Sequence, residues 1–185
     1  MQAPVTALTS RHGYARGHSM GPDGFTTAFK GHKVWFVTTN NTLVEATVTR
    51  GIIRCQGGRD YTILLFKKDL PRTIQPMRVL YNTNLVAKYP FGRFFNSTLF
   101  GTEQSGNVSA GIPGFIVNTW KGGDSGSPNM LPFFDELIFL SGRSTSGPSA
   151  EMQADMDELC RMQRLDPKRY QLQSVDLSSF PTYKQ

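Results

Sequence analysis

The sequence is poor in the residues that cross-link or metallate a small protein: two cysteines and three histidines in 185 residues. Cys55 and Cys160 stand far apart and lack C-x-x-C or Cys/His spacing, so neither a disulfide framework nor a structural zinc site is expected. No metal and no cofactor are expected. Long apolar runs are missing as well. No stretch approaches the roughly 20 apolar residues that span a bilayer, and the N-terminus carries no apolar signal core. A reducing, cytosolic setting is the expectation, in which the sequons at Asn40, Asn96 and Asn107 have no role.

What is present reads as one compact all-β unit or two small sub-barrels. Eighteen glycines and 11 prolines are scattered singly between short apolar runs, as turns between short strands require. The net charge of +6 makes polyanions such as RNA candidate partners through phosphate contacts. Yet the basic residues (Lys67, Lys68, Arg72, Lys88, Arg93, Arg161, Arg164, Lys168, Arg169) form no dense run, and solubility accounts for them equally well.

Strands are expected at 25–30, 33–39, 43–49, 61–66, 77–81, 85–89 and 94–100, and again near 115–119 and 136–141. Only Pro148 to Leu165 reads as helix. There Met152, Met156, Leu159, Cys160 and Met162 recur at near-helical spacing, Ser149 is placed to cap the start and Asp166-Pro167 to end it. That Met-rich stripe reads as a packing face. The remainder, Lys168 to Gln185, reads as an extended, weakly structured tail.

The strongest chemical signal is GGDSGSP, Gly122 to Pro128. A serine attacks a carbonyl when its hydroxyl projects from a tight turn whose backbone N–H groups face the developing oxyanion. Gly123 permits that turn, so that its N–H and that of Ser125 form the oxyanion hole, and Gly126 permits close packing behind.

GDSGSP resembles the nucleophile loop of chymotrypsin-like serine proteases. WFVTTNNT (Trp35 to Thr42) is similar to the strand that ends in the family's histidine, and GRDYTILLF (Gly58 to Phe66) to its Asp-bearing strand. The resemblance spans Phe25 to Ser146. It implies two antiparallel β-barrels with a C-terminal helix and tail: residues 1–102 carrying base and acid, 103–147 carrying the nucleophile loop, and 148–185 as an appendage. It also implies Ser125 as nucleophile and Asp60 as the acid, with Asn41 in the position of the base. Asp69 is a poorer acid, because it follows Lys67 and Lys68 after the strand has ended.

An amide has no usable basicity near neutral pH, so this assignment implies an inactive enzyme. Three explanations stand side by side: a His-to-Asn change introduced to stop self-cleavage, a natural pseudoenzyme, or service by another histidine. His32 precedes its strand rather than following it. His12 and His18 lie in the N-terminal segment and read as surface or core residues.

The short, disulfide-free chain resembles the polyprotein-processing proteases of positive-strand RNA viruses, and Ser125 points to their serine-type members, such as those of sobemoviruses. The substrate would then be the chain's own polyprotein. The location would be the host cytoplasm, with replication membranes reached through neighbouring polyprotein regions. Thr119, Arg143 and Ser144 are expected to line the specificity pocket, with Arg143 placed to pair with an acidic side chain. The alternative reading is a catalytically dead protease fold used for binding RNA or protein.

Overall fold

YTILLF, Tyr61–Phe66, is apolar at every position but Thr62, and a strand of that composition needs cover on both faces. In the computed structural model it receives it: all six residues are buried, at the centre of the first of two antiparallel sheets. The structure describes residues 4–38, 40–80, 91–98, 101–109, 112–115, 125–133, 135–142 and 145–175; for 91–98, 101–109, 112–115 and 131–133 the description is of the backbone alone.

The described strands are β1 (Thr6–Ala7), β2 (His12–Ala15), β3 (Gly24–Thr26), β4 (Lys33–Val37), β5 (Leu43–Arg54), β6 (Tyr61–Phe66), β7 (Phe91–Thr98), β8 (Gly101–Ser109), β9 (Ile112–Phe115), β10 (Pro128–Phe133) and β11 (Glu136–Gly142). The helix α1 spans Ala150–Met162, and a 3-10 turn spans Pro167–Tyr170. The first sheet runs β1-β2-β6-β5-β3, with β4 also on β5; the second runs β11-β10-β7-β8-β9. The protein is therefore mostly antiparallel β with one C-terminal helix.

Alternation along β6 divides the core. Tyr61, Ile63 and Leu65 join Leu8, Tyr14, Ile52, Val79 and Phe139 on one side, while Leu64 and Phe66 join Phe29, Ala46, Val48, Ile53, Leu70 and Ile74 on the other. The first cluster is closed by α1, whose Met152, Met156, Leu159 and Cys160 are fully buried. These four residues of the stripe form a packing face, as their spacing indicates, while the fifth, Met162, is exposed. Ser149 caps the helix by accepting from the Met152 N–H at 3.1 Å, a contact worth about 1 kcal/mol.

Several expectations are corrected. β7, placed by sequence in the first unit (1–102), pairs with β8 and β10 in the second sheet. The segment 77–81 forms no strand over its described residues, 77–80; Val79 bridges Phe139 of β11 on one side and Ser174 on the other. The tail is not weakly structured through residue 175, because Tyr170, Leu172 and Val175 are buried and Val79 exchanges backbone hydrogen bonds with Gln173 and Val175. β1, β2, β8 and β10 escaped the periodicity. The expected strand at 85–89 lies outside the described residues, as does all of 115–119 except Phe115, which ends β9.

Candidate functional site

Beyond its last ladder pair with β6, Ala15 opposite Thr62, strand β2 continues through Arg16 and Gly17, and that register carries Gly17 to Asp60. The approach is closer than a side chain allows. A Cβ on Gly17 would lie 2.3 Å from the Arg54 carbonyl oxygen and 2.7 Å from the Tyr61 nitrogen, so only glycine fits. The Gly17 and His18 N–H groups both donate to Asp60 Oδ1 at 2.8 Å. The other carboxylate oxygen, Oδ2, lies 2.6 Å from His18 Nδ1.

This geometry selects a tautomer. An ionised carboxylate only accepts, so Nδ1 carries the proton and donates it, leaving the Nε2 lone pair of a neutral imidazole free to act as base. The two backbone donors hold the carboxylate in place, and the carboxylate in turn holds the ring. The His18 side chain keeps 40% of its exposure, so the basic face is accessible.

Asp60 is fixed from behind as well. Its N–H donates to Ser146 Oγ at 2.7 Å, and the Ser146 N–H donates to the Asp60 carbonyl at 3.0 Å. Ser146 follows β11, so these bonds join the second sheet to the acid. The Tyr14 hydroxyl donates to the Ser146 carbonyl at 2.7 Å and lies 2.5 Å from Thr145 Oγ1. Burial pushes the Tyr14 pKa above its ordinary value, which keeps the hydroxyl protonated as a donor.

Ser125 is buried in the turn before β10. Gly126 next to it has φ +89°, and a Cβ there would stand 2.6 Å from the Arg16 nitrogen. The nucleophile turn is thereby packed against the chain two residues before His18. Arg16 lies against Gly126, and the next residue of the chain, Gly17, lies against Asp60. Among the described residues no hydrogen bond joins His18 to Ser125.

Asn41 lies elsewhere. It is exposed at the tip of the β4–β5 hairpin, with φ 60° and its N–H on the Thr38 carbonyl. Asp60 adjoins Tyr61, which pairs with Arg54 at the opposite end of β5. The twelve residues of β5 separate the two, roughly 35 Å of extended strand. The structure therefore does not bring Asn41 and Asp60 together, and the imidazole beside Asp60 is that of His18. Gly123, Thr119, Arg143 and Ser144 lie outside the described residues.

The other histidines have structural surroundings. His12 is fully buried, with Nδ1 2.9 Å from Thr9 Oγ1 and Nε2 3.6 Å from Cys160 Sγ. Burial drives its pKa down to about 3 and raises that of Cys160 to about 11, so the pair stays uncharged. His32 packs edge-on against Phe29. Asp69 pairs with Arg11 and accepts from Tyr170.

The sequence permits His18, which precedes Asp60 and Ser125 as Asn41 does, but no spacing selects it. What hid it was β2 itself, whose HGYA lacks the apolar run that marks WFVTTN.

Among the described residues no group of three His, Cys, Asp or Glu is placed to hold a metal, and no helix is long and apolar enough to cross a membrane. No protein-family model, curated protein or solved structure matches the chain.

Proposed function

We propose that the chain is a chymotrypsin-like serine endopeptidase, built as two packed antiparallel barrels, in which Ser125 is the nucleophile, His18 the base and Asp60 the residue that orients it. The observation that carries this reading is the 2.6 Å contact between His18 Nδ1 and an Asp60 carboxylate whose other oxygen is held by two backbone N–H groups. An imidazole fixed in that tautomer beside a Gly-Asp-Ser-Gly turn is the arrangement acyl transfer requires.

In the proposed reaction His18 Nε2 takes the Ser125 hydroxyl proton as Oγ bonds to the scissile carbonyl carbon. The oxyanion is met by the N–H groups of Gly123 and Ser125. Collapse of the tetrahedral adduct breaks the C–N bond, and His18 returns the proton to the departing amine. Water, deprotonated by the same nitrogen, then releases the acyl group from Ser125. With a histidine in place the enzyme is competent as written, and Asn41 needs no explanation as a lost base.

The substrate class in this reading is a polypeptide, and the chain's own polyprotein is the proposed target. Thr119, Arg143 and Ser144 are the proposed pocket residues, with an acidic or amide side chain preferred before the scissile bond. A fluorophosphonate probe tests the reading. Ser125 should be labelled in the native chain, labelling should fall by at least about a hundredfold in His18→Ala, and Asn41→Ala should label normally. Equal labelling of the native chain and His18→Ala would refute the assignment.

A further inference from the structure

Strand β4 alternates strictly: Val34 and Phe36 turn inward, with the Phe36 ring 5.8 Å from that of Phe66, and Lys33, Trp35 and Val37 turn outward. β5 continues the pattern, since Val37 pairs with Leu43, Trp35 with Glu45 and Lys33 with Thr47. The outer face of the hairpin thus presents Trp35, Val37 and Leu43 at 59%, 64% and 66% exposure. Trp35 and Leu43 are diagonal neighbours across the ladder, so the three form one patch rather than scattered residues.

Folding does not explain this patch, because the inward face of the hairpin already supplies its share of core. The active site does not use it either, because it lies at the end of β5 remote from Asp60. Its rim is cationic. Lys33 reaches Glu45 at 2.5 Å and Thr47 at 2.9 Å. A shallow open cleft of about 270 Å³ beside it is lined by Glu45, Thr47, Lys67, Lys68 and Asp69 among others. Glu45 is engaged by Lys33 and Asp69 by Arg11, whereas Lys67 and Lys68 are exposed and make no ion pair among the described residues.

We propose that this face lies on an anionic phospholipid surface. Trp35, Val37 and Leu43 would enter the headgroup and upper acyl region while Lys67 and Lys68 stay among the lipid phosphates. The combination of an indole with aliphatic side chains inside a basic rim suits an interface that is apolar below and negatively charged above. Size favours this occupant over a folded protein: the three side chains expose on the order of 350 Å², less than half of what one partner contributes to a stable protein interface. The inference does not depend on Ser125 being a nucleophile.

The test uses the full chain and sedimentation with vesicles of phosphatidylcholine, with and without phosphatidylserine. Binding should be at least about tenfold tighter with phosphatidylserine, and Lys67→Glu/Lys68→Glu should remove that difference. Trp35→Ser/Val37→Ser/Leu43→Ser should weaken binding at least about tenfold while leaving the thermal midpoint unchanged. In a Trp120→Phe chain, which leaves Trp35 as the one indole, emission should shift to the blue on adding anionic vesicles; this readout needs no change in the patch. Three results would overturn the proposal: no sedimentation with anionic vesicles at low salt, sedimentation indifferent to the triple change, or a dimer that the triple change converts to monomer, which would assign the face to a second copy.

Discussion

The two ends of β5 differ in how they are held. At the Arg54 end the guanidinium reaches both carboxylate oxygens of Asp155 on α1, at 2.9 and 2.6 Å, and the Tyr61 hydroxyl donates to the same carboxylate at 2.7 Å. Asp23 adds a contact to Arg54 at 3.5 Å and accepts from the Cys55 N–H, which holds its carboxyl below the usual range. Arg59 pairs with Glu151. At the Leu43 end the described contacts stay within the hairpin and the core beneath it: the ladder, the Lys33–Glu45 ion pair, the Thr38 hydrogen bonds to Thr42 and the Phe36 contact with Phe66, none of which involves α1. The Arg54 end lies beside Asp60 and the His18 contact, whereas the Leu43 end presents exposed apolar side chains.

The largest expected effect separates these ends by activity. His18→Ala and Ser125→Ala should each lower kcat/KM by roughly 10⁴-fold or more on any peptide the native chain cleaves. Asn41→Ala and Asn41→His, at the other end, should stay within about twofold. A gain of activity in Asn41→His would reinstate that position as the base and undo the comparison.

Next comes the brace itself. Asp155→Ala leaves Arg54 and Tyr61 without their acceptor in a site where Asp155 keeps only 7% of its side-chain exposure, and urea denaturation should show a loss of about 3 kcal/mol. Replacing the three groups together, Arg54→Met, Asp155→Leu and Tyr61→Phe, should recover part of that loss, because neither the guanidinium nor the buried hydroxyl is then left without an acceptor, while Asp23 keeps the Cys55 N–H. If the single change proves silent, α1 is not what steadies this end of the sheet.

His12 sharpens the comparison through pH. Burial holds its folded pKa down to about 3, below the ordinary histidine value of 6.5, so the unfolded chain takes up a proton first as pH falls. Above pH 6.5 His12 contributes no pH dependence. Between 6.5 and 3 it should lower stability by about 1.4 kcal/mol per pH unit. His12→Gln should remove this slope from the urea midpoint, and an unchanged slope would place the acid sensitivity elsewhere.

The smallest effect belongs to the hairpin. Trp35→Ser should change the thermal stability by no more than about 0.5 kcal/mol, as expected of an exposed side chain. A loss of several times that would show the patch to be structural.

Local pattern made much of this architecture readable. YTILLF is a buried central strand because its β-branched and aromatic residues leave no face for water. α1 is a helix because its apolar residues recur on one side and Ser149 ends the extended chain before it. The nucleophile turn is legible because glycine alone tolerates the positive φ at Gly126 and its contact with Arg16. β2 was not legible: its four residues, HGYA, are all buried, but His12 and Gly13 carry no hydrophobic signal. They are buried by what covers them, Tyr170 and Cys160 over the imidazole and Phe66 against Gly13.

The sequence by itself determined a mostly β chain, a capped C-terminal helix with a buried methionine stripe, a turn able to present Ser125, and an aspartate at the head of an apolar strand. All of these follow from residues near one another in the chain, where backbone preference and side-chain period are enough. Which histidine meets Asp60 was decided by tertiary structure alone. His18 and Asn41 both precede Asp60 in order, and only the pairing of β2 with β6, together with the missing side chain at Gly17, brings one imidazole to within 2.6 Å of the carboxylate. The pairing is non-local, set by which strands bury each other's faces, and no spacing along the chain encodes it.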